Sequence, residues 1–240
     1  MRMPLILAIE TSSELASTAL LQDDTLLVRE SSGVRTHSQT LLPMVQSVLA
    51  QAGVRLSQCA VIAFGAGPGA FTGVRTACGI AQGLAFGADL PVVSIVTLLA
   101  MAEACRAETG AHEVLAVLDA RMGEVYWAQY SYANGWQTVV EPTLSAVAGV
   151  LPQHKDGLVA CGNGFAAYPG EFEHQAQVYP WMQQAHAEVM PHAAQVAYLA
   201  RSAFAAGRIL TPEQAQPIYL RNKIALTTDE RLAIKVGAAR

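Results

Sequence analysis

The segment Gly65-Ala66-Gly67-Pro68-Gly69-Ala70-Phe71-Thr72-Gly73-Val74-Arg75 is almost without reactive side chains, so any chemistry it performs must come from its backbone. Glycines at 65, 67, 69 and 73 allow another group to approach closely, and Pro68 stiffens the turn. A helix starting here leaves its first N–H groups, at Thr72 to Arg75, without intrahelical partners. They could hold an anion or receive another chain. The plainer alternative is a tight strand-to-helix connection. No Gly-Lys-Ser/Thr follows and the Gly-x-Gly-x-x-Gly spacing fails, which excludes a P-loop and the dinucleotide fingerprint. The histidines stand at 37, 112, 154, 174, 186 and 192; no two are four apart, so no helix can present two imidazoles on one face to a metal. A Gly-x-Ser-x-Gly elbow is also missing, which removes the usual support for a Ser-His-Asp hydrolase.

The elements that must position this loop are legible around it. Cys59 to Phe64 is a short apolar run that reads as a buried strand, and the pattern turns helical from Gly73 onward. The chain has 240 residues, 52% hydrophobic and 14% charged, enough to fill a core in one large domain or two small ones. A net charge of −4 argues against independent nucleic-acid binding, because phosphate contacts need clustered Lys and Arg. Cys59, Cys78, Cys105 and Cys161 are widely spaced and form no Cys-x-x-Cys, as expected of reduced core residues in a cytoplasmic protein. The apolar runs at 5–9 and 92–102 are too short for a signal peptide or a membrane span, so no membrane association is expected.

The chain repeats itself. Leu5 to Ile9 closes on Glu10, and Val114 to Leu118 closes on Asp119. Strand-like segments follow each: 15–21 and 25–30 about the turn Asp23-Asp24, and 125–132 and 136–141 about Asn134-Gly135. A helix at His37 to Ala52 and the strand 59–64 complete the first unit. A helix at Leu144 to Leu151 and the strand Leu158 to Cys161, leaving through Gly162-Asn163-Gly164, are expected to complete the second. Two such units predict a two-lobed α/β protein, with lobes at 1–109 and 110–226 and a flexible tail at 227–240. The region 175–190 reads as loop, and 192–206 as helix.

A doubled strand meander with an acidic residue closing each first strand is similar to the actin, Hsp70 and sugar-kinase (ASKHA, ribonuclease-H-like) fold. Five motifs in order sharpen the likeness: Leu7-Ala8-Ile9-Glu10-Thr11-Ser12; Thr36-His37-Ser38-Gln39 with Leu41-Leu42-Pro43; Gly67 to Arg75; Asp119-Ala120-Arg121-Met122-Gly123-Glu124-Val125-Tyr126; and Pro217-Ile218-Tyr219-Leu220-Arg221. Together they resemble the bacterial TsaB (YeaZ) family. The resemblance implies a non-catalytic paralogue of TsaD that binds and stabilises TsaD, with TsaE, in adding threonylcarbamoyl to the adenosine beside the anticodon of ANN-reading tRNAs. It also implies no intrinsic cofactor, ATP and Mg²⁺ being used by the partner proteins, tRNA contact only through the complex, and a homodimer when the chain is alone. Glu10 stands where kinases of the superfamily place a Mg²⁺-positioning carboxylate, but Thr11 and Ser12 replace their glycines. A residual nucleotide contact at Glu10, Thr11 and Ser12 is one reading, and a carboxylate bonded to neighbouring backbone is the other. Asp119 and Arg121 are expected to form a structural ion pair. An ATP-dependent phosphotransferase or ATPase of the same superfamily is the alternative function, and an autonomous metalloprotease lacks its ligands.

Helix 37–52 carries Leu41, Val45 and Val48 in one apolar stripe, with Leu42 and Met44 extending it sideways, more than a single packed face requires. The next helix offers the small residues Gly73, Ala77 and Gly79, which allow close helix approach or packing on the chain's own sheet. Together with His37, Phe71, Thr72 and Arg75 these are expected to form the surface for self-pairing and for TsaD. Trp127, Trp136, Tyr126, Tyr130 and Tyr132 cluster without neighbouring Lys or Arg and are expected in strand packing, not base stacking.

Overall fold

The protein is described by a computed structural model over residues 3–32, 37–153, 156–176 and 185–221. Five strands form the first sheet: β1 (Ile6–Glu10), β2 (Leu15–Gln22), β3 (Thr25–Ser32), β4 (Val61–Gly67) and β5 (Val92–Val96), in the order β3-β2-β1-β4-β5. The first three pair antiparallel, and β4 lies parallel to both β1 and β5. The second sheet contains β6 (Glu113–Arg121), β7 (Glu124–Tyr132), β8 (Trp136–Ala146) and β9 (Leu158–Cys161), in the order β8-β7-β6-β9, with β6 and β9 parallel. This repeats β3-β2-β1-β4 strand for strand, so the internal duplication and the actin-like, ribonuclease-H-like α/β class read from the sequence are present in the fold.

Alternation along β1 decides which helices cover which face. Leu7 and Ile9 point to one side, with Leu20, Ile62 and Phe64, where α1 (His37–Ala52) and α2 (Phe71–Ala88) bring Leu41, Val45, Val48, Ala77 and Ala81. Ile6 and Ala8 point to the other, where α6 (Ala193–Ala205) lays down Ala193, Val196, Ala197 and Ala200. Small residues on α6 let its axis sit close to the sheet. Between α2 and α6 in the chain, α3 (Thr97–Thr109) joins the two sheets. Its Ala100 packs with the first, while Leu98, Met101 and Cys105 pack on Val114, Ala116 and Tyr130 of the second. The short α4 (Gly164–Ala167) and α5 (Pro169–Ala176) cover the far face of the second sheet through Phe165 and Phe172.

Several elements differ from the sequence reading. Helix 144–151 is replaced by the end of β8, which pairs with β7 from Trp136 to Ala146 with a register shift around Gln129, and by a single 3₁₀ turn at Val147–Gly149 whose Val147 is buried. Strand pairing to β7 overrides the weak helical spacing there. β4 begins two residues later than Cys59 and continues through the glycines to Gly67, because Gly65 and Gly67 pair with Ile95 and Val96 of β5. Helix α6, placed by sequence in the second lobe, packs on the first sheet. The expected loop at 175–190 begins as the end of α5, and its residues 177–184, like the tail 227–240, lie outside the described residues. Among the described residues no helix is long and apolar enough to cross a membrane.

The apolar stripe of α1 and Met44 beside it are buried inside the molecule, while Leu42 stays exposed. Leu41, Val45 and Val48 are at most 2% exposed and Met44 is 8% exposed, because α1 is covered by β2, β3 and α2 and therefore buries a wider arc than one flat contact would. Val45→Asp thus tests folding instead of pairing. A carboxylate there is buried without a cation, and the substitution is expected to destabilise the chain by about 3 kcal/mol or more in urea unfolding.

Candidate functional site

The glycine loop between β4 and α2 is packed against the exit of β1. A Cβ on Gly73 would stand 1.9 Å from the carbonyl oxygen of Thr11, and one on Gly65 would stand 1.7 Å from Oε2 of Glu10. Both distances are impossible for a side chain, so these positions need glycine for close approach, not for turn geometry. Hydrogen bonds lock the contact. The Ala70 N–H donates to the Ser12 carbonyl at 2.7 Å, and Thr11 Oγ1 donates to the Gly73 carbonyl at 2.8 Å. Thr97, at the start of α3, accepts from the Gly67 N–H at 3.1 Å and donates to Ser12 Oγ at 3.3 Å. The loop is filled by another stretch of the same chain, an occupant that the sequence reading, which left an anion or a second chain, did not name.

Glu10 lies at the centre of this contact and is fully buried. One carboxylate oxygen accepts the Ser12 N–H, and Oε2 has no partner. Burial pushes the Glu10 carboxyl above its usual range, outweighing the Ser12 hydrogen bonds that favour the anion. Glu10 and Thr11 therefore do not face solvent, and of the three residues proposed to touch a nucleotide only Ser12 reaches the adjoining cleft.

That cleft, of about 730 Å³, runs between the start of α2, the β6–β7 hairpin and residues 218–221. The hairpin tip holds Arg121 and Met122 at φ of 63° and 61°, left-handed values that favour glycine. Asp119 supports the tip: its Oδ1 accepts the Arg121 N–H at 2.7 Å and the Tyr168 hydroxyl at 2.9 Å. The expected Asp119–Arg121 ion pair is not formed. The Arg121 guanidinium reaches Glu14 across the cleft at 3.4 Å instead, because its backbone bond to Asp119 turns the side chain away. Residues 217–221 act as a strap. The Ile218 N–H donates to Ala66 at 2.7 Å, Leu220 joins the core of the second sheet, and Arg221 bonds Glu124 at 2.5 Å. Tyr219 accepts from Arg75 Nε at 2.7 Å, and the Arg75 guanidinium lies 3.6 Å over the Phe71 ring. The Pro217-Ile218-Tyr219-Leu220-Arg221 motif was visible in the sequence; its role in joining the two lobes was not.

The residues assigned to an interface are separated by the fold. Leu41, Met44, Val45, Val48, Gly73 and Ala77 are buried; His37 and Phe71 line the cleft; Leu42, Thr72, Arg75 and Gly79 are exposed. Sequence reading passed over Phe86, which is 74% exposed, and Gly87, both on the α2 face that carries Gly79 and Gly83. A Cβ at Gly79, Gly83 or Gly87 would meet nothing within 4 Å. The 3.6-residue period applied from Gly79 onward would have found this face. The aromatic cluster does acquire a cation, Arg106, 3.9 Å from the centre of the Tyr132 ring. That arginine is also bonded to Glu103, which accepts the Trp136 N–H at 2.7 Å, so the group is a closed packing unit.

Two outcomes test the geometry. Gly65→Ala forces Glu10 from its cradle and is expected to destabilise the protein by about 2 kcal/mol in denaturant unfolding, with less than additive loss when combined with Glu10→Ala. Since the folded state raises the Glu10 carboxyl, its stabilising contribution is complete below the unfolded value near 4.5 and is lost as pH rises through the folded value. Glu10→Gln imitates the protonated acid. Its stability relative to the native chain, measured by thermal melting, is expected to be greatest near pH 8 and to narrow as pH falls toward 4.5.

Comparison with known proteins agrees with this geometry. Residues 22–223 match the family model of TsaD, tRNA N6-adenosine threonylcarbamoyltransferase. The chain is 40% identical to the tRNA threonylcarbamoyladenosine biosynthesis protein TsaB of Escherichia coli, over 92% of this chain and 96% of that one. It is 38% identical to the TsaB of Haemophilus influenzae, over 91% and 94%. A solved structure of YeaZ from Pseudomonas aeruginosa superposes with a TM-score of 0.80 at 38% identity, covering 91% of this chain and 100% of that one. With its doubled sheets, its self-filled glycine loop and these relatives, the chain belongs to the TsaB (YeaZ) family.

Proposed function

We propose that the chain is a non-catalytic subunit of the machinery that attaches threonylcarbamoyl to the adenosine beside the anticodon of ANN-decoding tRNAs, where it binds and stabilises TsaD and supports the docking of TsaE. One observation carries the reading: the glycine loop and the β1 exit, which in a phosphotransferase would face a nucleotide, are occupied by each other's backbone at Thr11, Ser12, Ala70 and Gly73. With Glu10 sealed beneath them, that carboxylate is not presented to the cleft to position Mg²⁺. ATP and Mg²⁺ then belong to the partner proteins, and the net charge of −4 supports tRNA contact through the complex alone.

The exposed face of α2 supports partner binding. Glycine inside a helix costs about 1 kcal/mol relative to alanine, and at 79, 83 and 87 no neighbour among the described residues requires the missing Cβ. A second helix laid along this face would use that space and cover Phe86. Leu42, 43% exposed on the neighbouring α1, extends the surface. The same surface accounts for a homodimer of the isolated chain, in competition with TsaD.

Phe86→Asp and Gly83→Leu change exposed groups and are expected to leave unfolding free energy within about 0.5 kcal/mol of native. Each is expected to weaken binding to TsaD about 30-fold, a loss near 2 kcal/mol, as measured by calorimetry. In a reconstituted reaction with TsaD, TsaE, tRNA and threonylcarbamoyl-adenylate, modification should fall and be partly restored by excess variant. Full modification with the chain omitted, or Mg²⁺-dependent ATP turnover by the chain alone, would overturn the proposal.

A further inference from the structure

Away from the cleft, Glu108 in the last turn of α3 meets His186 and Glu188, and one donor atom from each lies within 4.8 Å of the others. We infer that these three side chains form a site for one borderline divalent transition metal ion, of which Zn²⁺ is the natural probe.

The backbone fixes the imidazole carrier first. The His186 N–H donates to Ala160 at 2.9 Å, and its carbonyl accepts from Gly162 at 3.0 Å, which extends the sheet one bridge beyond β9. The Val189 N–H closes a turn on the same carbonyl at 3.2 Å, setting Glu188 beside the ring. His186 Nδ1 and Glu188 Oε1 then stand 3.7 Å apart, too far for a hydrogen bond. Two donors each about 2.0–2.2 Å from a common ion span up to about 4 Å, so this pair already has the separation of two ligands on one metal. Glu108, exposed on the helix, has to close by up to about 1 Å, within the reach of a glutamate side chain.

Charge gives a second, independent reason. Glu108 lies at the negative end of the α3 dipole, where carboxylates are disfavoured, and Glu188 is turned toward the same point. Among the described residues no arginine or lysine pairs with either; Arg106, the nearest basic residue on α3, is bonded to Glu103 instead. A divalent ion neutralises both carboxylates and ties the end of α3 to the edge of the second sheet. One imidazole with two carboxylates, leaving positions open to water, suits Zn²⁺ or Co²⁺ better than Mg²⁺ or Ca²⁺, which take oxygen donors. This inference does not depend on the proposed function.

Titration of the tag-free chain with Zn²⁺ is expected to show one site with a dissociation constant on the order of micromolar and a matching rise in melting temperature, while Mg²⁺ and Ca²⁺ give neither. His186→Ala and Glu108→Gln alter exposed or half-exposed side chains, and circular dichroism checks that both variants fold. Each is expected to weaken Zn²⁺ binding at least tenfold and remove the melting shift. Co²⁺ should give a visible absorption band in the native chain that disappears in His186→Ala. Absence of Zn²⁺ binding up to about 100 μM, or binding that survives His186→Ala and so resides on another histidine, would overturn the inference.

Discussion

The contact between the exit of β1 and the start of α2 is the constraint on which the rest of the first lobe depends. The exit of β1 approaches so closely that Gly73, against the Thr11 carbonyl, and Gly65, against the Glu10 carboxylate, leave no room for a side chain, and three hydrogen bonds from Ala70, Thr11 and Thr97 hold the contact there. This contact fixes the direction in which α2 leaves the sheet, and thereby the direction of its exposed glycine face. It also fixes the floor of the cleft, since Ser12 and the first turn of α2 are its lining on one side. Glu10 is the cost of the arrangement: a carboxyl removed from water, one oxygen bonded to Ser12 and the other without a partner. Burial raises its pKa and so favours the neutral acid, which lessens that cost.

The two lobes are joined by unlike devices at opposite ends. On the buried side α3 presents one face to each sheet, an apolar contact that water cannot weaken locally. On the open side the strap 217–221 alternates between lobes, with Ile218 and Tyr219 on the first and Leu220 and Arg221 on the second. The Glu14–Arg121 pair also crosses the cleft, but both groups are well exposed, so it adds little energy. The strap therefore carries the stabilising contacts at the mouth of the cleft. The cleft is thus bridged at its mouth by the strap, and the glycine loop on one side of it is filled by the exit of β1.

That outside is unequal. Tyr132 and Trp136 of the second lobe are engaged internally by Arg106 and Glu103, and α5 and the 3₁₀ turn cover the far face of the second sheet. The α2 face, by contrast, keeps three glycines open and a phenylalanine in water. Glycines in a helix weaken it, and an exposed Phe loses the gain of burial, so the two features together oppose the stability of the isolated chain. The partner helix proposed for this face would relieve both.

What the sequence by itself determined was whatever depends on local pattern and on repetition. The apolar run of β1 and the turn residues Asp23-Asp24 and Asn134-Gly135 specify the meanders, the recurrence near Glu10 and Asp119 specifies the duplication, and the spacing of the histidines excludes a two-imidazole helix. The extent of α1 was legible because its stripe spans four turns. Tertiary structure decided the rest, because those outcomes depend on what lies opposite. Whether Val45 faces a partner or β2 cannot be read from a stripe that serves either. The 144–151 segment joined β8 because β7 offered a complete edge, an interaction between residues about twenty apart. The glycine loop showed that something would come close, but only the parallel pairing of β1 and β4 determined that it would be Thr11 and Ser12. His186 meets Glu108 only because the chain returns to the edge of β9 beside the end of α3, a meeting of residues too distant in sequence for any local spacing to reveal.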